Sequence, residues 1–151
     1  MSDGPILPAY GRSTLAEVLP SVGAHLGVPG FSDDPLGLPS AQRYVVLMVD
    51  GLGWHVLGAS LRHVPCFADL FGDARRLTSA IPSTTATSLS CLGTGLVPGR
   101  HGIVGYAFRE PASGAFLNAL TWENGPDPLG FQPHPTVFQT FAAAGIATAS
   151  V

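Results

Sequence analysis

The run Tyr44-Val45-Val46-Leu47-Met48-Val49, ending abruptly in Asp50-Gly51-Leu52-Gly53, constrains this chain more than any other stretch. Six residues without a charge and without polar alternation read as a strand buried on both faces. Such a strand needs neighbours on its edges and helices over both faces, which points to an α/β fold. Open α/β sheets bind ligands outside the carboxyl ends of their strands. Asp50 therefore leaves the expected core where a carboxylate can meet a ligand, and Gly51 lets that ligand approach the backbone closely.

A second apolar run, Leu77-Thr78-Ser79-Ala80-Ile81, ends in Pro82-Ser83-Thr84-Thr85. A helix over 84–92 follows, with Ser83 or Thr84 as its N-cap. Upstream, a helix is expected over 13–26, capped by Ser13 and broken or kinked at Pro20, and then a Pro- and Gly-rich loop over 27–40. Further helices are expected over 54–61 and 66–71, and a strand over 75–81. Tyr106-Ala107-Phe108-Arg109 and Ala115-Phe116-Leu117-Asn118-Ala119-Leu120 flank Pro111-Ala112-Ser113-Gly114, the pattern of a β-hairpin. Residues 123–135 read as an exposed excursion, 136–144 as a helix stopped by Gly145, and Ile146-Ala147-Thr148-Ala149-Ser150-Val151 as the start of another strand.

The expected organisation is an N-terminal helix and loop over 1–43, then an α/β region over 44–151. Its fold class is α/β, a mainly parallel sheet with helices on both faces, incomplete at the C-terminus. A chain that stops inside a strand reads as the N-terminal portion of a longer protein.

Composition narrows the function. The chain of 151 residues is 46% hydrophobic and 11% charged, enough to build a core. Its net charge of −3 and lack of a basic run argue against nucleic-acid binding. All seven basic residues are Arg, which excludes a Walker-type P-loop, a Schiff-base lysine and a Ser–Lys dyad in this segment. Cys66 and Cys91 stand in no metal spacing and read as buried thiols in a reducing compartment. Met1-Ser2-Asp3-Gly4-Pro5 is no secretory leader, and no apolar run reaches membrane-spanning length. The expectation is a soluble cytoplasmic protein without a membrane partner.

Asp50 suits a cation, although an Asp at a strand end also commonly caps the next helix. Ser83, Thr84 and Thr85 bring hydroxyls to a helix start, where backbone N–H groups and the positive dipole end favour an anion. A hydroxyl there could attack phosphorus only with activation, because its pKa is far above neutral. Metal coordination would generate the alkoxide without a neighbouring base. The plainer reading is a Ser/Thr-rich cap with small residues packed on a sheet. His101 reads as a structural histidine before a ligand or an anion contact. His25, His55, His63 and His134 show no paired metal spacing. Gly51-Leu52-Gly53 is no dinucleotide fingerprint, because Val56 stands where the third glycine belongs.

Four ordered pieces resemble the nucleotide pyrophosphatase/phosphodiesterase (type I phosphodiesterase) family of the alkaline phosphatase superfamily. They are Val45-Val46-Leu47-Met48-Val49-Asp50-Gly51, Ile81-Pro82-Ser83-Thr84-Thr85, Gly93-Thr94-Gly95-Leu96-Val97-Pro98 and His101-Gly102-Ile103-Val104-Gly105. The resemblance implies an alkaline-phosphatase-like fold and two divalent metal ions, usually zinc, one held partly by Asp50. It implies that Thr85, the third residue after the proline, is both nucleophile and metal ligand. Thr85 would form a threonyl-phosphate that water then hydrolyses. The implied substrate is a small phosphoester, with nucleotides among the candidates.

Two departures follow from the same comparison. Tyr106 stands where members with defined nucleotide specificity often carry an Asn that contacts a phosphate oxygen, so Tyr106 is only a weak substrate-binding candidate. The family's remaining Asp and His ligands come from further along the chain, so residues 1–151 alone are expected to be inactive. A sulfatase lacks its C-x-P-x-R motif here, and a serine hydrolase its G-x-S-x-G elbow. A phosphomutase of the same superfamily usually has Ser in place of Thr85. The alternative from another class is a non-catalytic α/β binding module.

Overall fold

A computed structural model describes residues 6–123 and 125–150. The described residues fall into two compact units, one over Val45–Leu77 and one formed by the chain before and after it.

In the larger unit, Thr14 opens a single 3-10 turn, Leu15–Glu17, through a capping box in which the Glu17 carboxylate reaches back to the Thr14 backbone N–H. Helix α1, Val18–His25, follows directly. The cap is thus Thr14 rather than Ser13. Pro20 neither breaks nor kinks α1, because it lies in the first turn, where its missing N–H would have had no intrahelical partner.

Downstream, α4 spans Thr85–Thr94, α5 Pro98–His101, α6 Pro128–Phe131 and α7 Val137–Ala143. Leu19, Val22 and Val28 pack with Val137 and Phe141 of α7 to form the main core. A smaller cluster joins Ala16, Ala80 and Cys91. Gly23 is required in the main core, since a Cβ on it would lie 2.6 Å from the Phe31 ring and 2.9 Å from that of Phe141.

The expected hairpin is present. Strand β1, Ala107–Arg109, pairs antiparallel with β2, Phe116–Asn118, with Phe108 opposite Leu117. Glu110 shapes its turn by accepting the backbone N–H groups of Ala112 (2.9 Å) and Ser113 (2.5 Å). The expected excursion over 123–135 contains the short helix α6, capped by the Asp127 carboxylate on the Gly130 N–H.

The smaller unit holds α2, Trp54–Ser60, a 3-10 turn Leu61–His63, and α3, Pro65–Gly72. Trp54 stacks on Phe71 at a centroid distance of 4.4 Å. None of the residues of this unit is buried.

The sheet departs from expectation. Among the described residues the only ladder is β1–β2, an antiparallel pair, and the only parallel contact is an isolated bridge between Thr14 and Thr78. The chain is mixed α/β, yet residues 44–49 form no strand, and Val45 and Leu47 are 96% and 78% exposed. Of 75–81, only Thr78 takes part in a bridge. Residues 146–150 are likewise outside any ladder, and Val151 lies outside the described residues, as do Met1–Pro5. The physical reason is that a parallel strand has no local partner. Its hydrogen bonds come entirely from neighbouring strands, and its two faces from helices brought across by crossovers. No described helix is long and apolar enough to cross a membrane.

Candidate functional site

Thr85 is the first residue of α4, and Thr84 is the N-cap. The Thr84 backbone is extended, and its hydroxyl accepts the Thr87 N–H at 3.4 Å and pairs with the Thr87 hydroxyl at 2.9 Å. Of the two caps open from sequence, Ser83 and Thr84, the second is used. Capping by Thr84 leaves the next hydroxyl, that of Thr85, at the positive end of the helix dipole. Thr85 is half-buried, whereas Ala86, Thr87 and Cys91 on the inner face are buried. At the other end, Gly95 takes a left-handed φ of 68° and its N–H closes on the Cys91 carbonyl at 2.9 Å.

Asp50 belongs to the smaller unit, and Thr85 and Tyr106 to the larger one. Asp50 is exposed in a tight turn in which the Leu52 N–H points to the Val49 carbonyl at 3.4 Å and Gly51 takes a φ of 73°. The turn thus places a glycine where a side chain would be strained. The N-cap position of the following helix α2 is Gly53. Tyr106 is exposed, immediately before β1.

His101, the last residue of α5, is 2% exposed and sits between two elements. Its Nδ1 accepts the Ile103 N–H at 3.1 Å, and its Nε2 lies 3.3 Å from Cys91 Sγ on α4. An Nδ1 that accepts has its lone pair free, so the ring proton of the neutral imidazole is on Nε2 and points at sulfur. Burial, assisted by His134, pushes the imidazole down to about 4. Burial, assisted by Glu17, pushes the Cys91 thiol up to about 11. Both groups are neutral at pH 7. His101 is thus structural, as the sequence suggested, while its partnership with Cys91 went unread because the two lie ten residues apart on different helices. Cys66, expected to be buried, is exposed on α3.

Two carboxylates carry roles that the sequence reading missed. Asp34 accepts the N–H groups of Leu36 and Leu38 and meets His25 Nε2 at 2.8 Å, which ties the 27–40 loop to α1. Burial raises the Asp34 pKa, but the His25 contact, the Ser21 hydroxyl and the Leu38 N–H outweigh it and hold the carboxyl below its ordinary range. Glu110 is held low by the Ser113 hydroxyl and the turn N–H groups. Its position just before Pro111-Ala112-Ser113-Gly114 was the available signal. A groove of about 540 Å³ lies between this turn and α6, with Glu110, Pro111, Asp127 and Phe131 in its walls. Neither Asp50, Thr85 nor Tyr106 lines it.

A cation site needs several converging donors. Among the described residues no group of three or more His, Cys, Asp or Glu could hold a metal ion.

Asp50, Thr85 and His101 each lie within one of the four motif segments that resemble the type I phosphodiesterases. The description of the type I phosphodiesterase / nucleotide pyrophosphatase family matches residues 44–151, and the chain belongs to that family. The family is one of hydrolases acting on phosphodiesters and pyrophosphates. No curated protein and no solved structure shows a significant match to the chain.

Proposed function

We propose that this chain carries the nucleophile of a phosphodiesterase or nucleotide pyrophosphatase, and that Thr85 is that nucleophile. The observation that carries the reading is the placement of Thr85 at the first position of α4, with Thr84 taking the cap. Thr85 Oγ1 gives up its proton and forms a bond to phosphorus as the bond from phosphorus to the leaving oxygen breaks, and the leaving oxygen takes up a proton from solvent. The resulting threonyl-phosphate is then hydrolysed by water, which restores the hydroxyl. The substrate is a small phosphoester, a nucleotide among the candidates, and Tyr106 offers a phenol that can donate to a phosphate oxygen.

Asp50 and Thr85 are proposed as donors toward two divalent ions, zinc by family resemblance. The remaining donors would have to come from outside the described residues. Residues 44–151 are read as the N-terminal part of the catalytic domain, preceded by a helix and loop over 1–43, with the fuller parallel sheet completed in the whole protein. A cytoplasmic location agrees with the two free cysteines.

The test uses the full-length protein and a nitrophenyl phosphodiester. Thr85→Ala is expected to lower turnover by on the order of 10³-fold or more, with an unchanged circular dichroism spectrum. Rapid quenching of the unsubstituted protein should yield a phosphopeptide containing Thr85. Asp50→Asn is expected to lower metal content and turnover together. A Thr85→Ala protein that still turns over would sink the nucleophile assignment. Absence of turnover in the unsubstituted protein would favour the binding-module alternative.

A further inference from the structure

The buried contact between Cys91 and His101 joins the two parts of the chain that carry Thr85 and Tyr106. Cys91 lies on the inner face of α4, on the same helix that begins at Thr85. His101 ends α5, and Gly102 then turns the chain with a φ of 79° into the loop that runs through Ile103 to Tyr106. One ring thus holds both: Nε2–H donates to the helix through Cys91 Sγ at 3.3 Å, and Nδ1 accepts from the loop through the Ile103 N–H at 3.1 Å. Ile103 is itself buried, which anchors the loop beside the ring. His134 adds a brace from outside, its Nε2 lying 3.1 Å from the Arg100 carbonyl at the end of α5.

A neutral imidazole is well suited to this task. It offers one donor and one acceptor on opposite sides of a rigid plane, whereas an amide side chain reproduces only one of the two positions. Asn places an acceptor where Nδ1 was, and Gln places a donor where Nε2 was. A thiol is a weak partner, so the worth of the contact lies less in its strength than in the geometry it enforces.

We propose that His101 is a positioning residue for the phosphoryl-transfer site, a latch that sets the helix bearing Thr85 against the loop bearing Tyr106. This deepens the reading of Thr85 as nucleophile and rests on it. Displacement of a reacting group by about 1 Å can cost about 10²-fold in rate, so loosening the latch acts on turnover more than on substrate capture.

The experiment compares His101→Asn, His101→Gln, Cys91→Ala and Cys91→Ser with the unsubstituted full-length protein by two readouts. The first is amide hydrogen exchange at Ile103–Tyr106 and along α4, which requires no catalysis. The second is the separation of kcat from KM on a nitrophenyl phosphodiester. His101→Asn, which keeps the Ile103 contact and loses Cys91, is expected to lower kcat about 10-fold or more with KM changed less than about twofold. His101→Gln should speed exchange at Ile103, and Cys91→Ser, which retains an acceptor, should recover most of the loss seen in Cys91→Ala. Faster exchange with unchanged kcat would overturn the positioning role and leave Thr85 untouched. Unchanged exchange together with unchanged kcat would overturn the latch altogether. An unsubstituted protein without turnover would overturn the nucleophile reading and the positioning role together, and the exchange data would still tell whether ring, helix and loop are joined.

Discussion

Helix α4 begins at Thr85 and the run at 44–49 leads into Asp50, the two motif residues expected to matter most, and the structure treats the two stretches in opposite ways. Helix α4 begins at a side-chain cap, ends at a left-handed glycine and buries Ala86, Thr87 and Cys91. The run at 44–49 is the most apolar stretch of its size, yet it has no ladder, and the whole Val45–Leu77 unit buries no residue. A helix makes its hydrogen bonds within itself and needs one packed face. A parallel strand makes none within itself and needs two neighbours and two covered faces. Hydrophobicity alone therefore marks where burial is required, not where it is achieved.

Hydrogen exchange should show the largest contrast. Amides of α1, α4 and α7 are expected to be protected by orders of magnitude more than those of α2 and α3, because opening the former exposes the core. Comparable protection in both sets would erase the distinction. Truncation of single side chains sharpens it. Phe141→Ala removes a ring that is 3% exposed and meets Phe31 edge-on at 5.8 Å, so it is expected to cost about 3–5 kcal/mol by thermal or urea unfolding. Leu47→Ala, at a residue 78% exposed, should stay within about 0.5 kcal/mol. A large loss at Leu47 would show that the run is buried in solution.

The pH dependence of the larger unit should carry the mark of His101. Its folded pKa of about 4 lies below the ordinary 6.5, so between these values the unfolded chain binds more protons and stability rises with pH. Stability should therefore fall as pH drops from about 6.5 to about 4, and more steeply in the unsubstituted protein than in His101→Asn. Asp34 and Glu110, whose carboxyls are held low, add their own losses as pH falls through their folded values in both proteins. Equal slopes would mean that His101 is solvated. The smallest effect is at the cap: Thr84→Ala should cost about 1 kcal/mol and fray the first turn that presents Thr85, seen as faster exchange at Thr87.

Local signals were legible because their physics is local. The cap at Thr84, one of the two candidates, the stop at the left-handed Gly145 and the hairpin about Pro111–Gly114 each depend on residues within a few positions. Pro20 was misread because its effect depends on which turn of the helix it occupies, and that is set by the Thr14 cap. Thr85 was placed at the head of its helix, and His101 was given its structural role. Cys66 was misjudged because burial of a thiol depends on what packs over it.

The sequence by itself determined the family, through four motifs in order, and with it the residues nominated for chemistry, because motif spacing records local backbone requirements. It also determined α1, α2, α3, α4, α7 and the hairpin, whose hydrogen bonds close within short stretches, but not the single turns α5 and α6. Only the tertiary structure decided that His101 bridges Cys91 and Ile103, that Asp34 and Glu110 anchor loops, and that the apolar run at 44–49 lies without a ladder. Those outcomes depend on which distant surfaces meet, and a contact between remote residues leaves no mark in the local spacing of either.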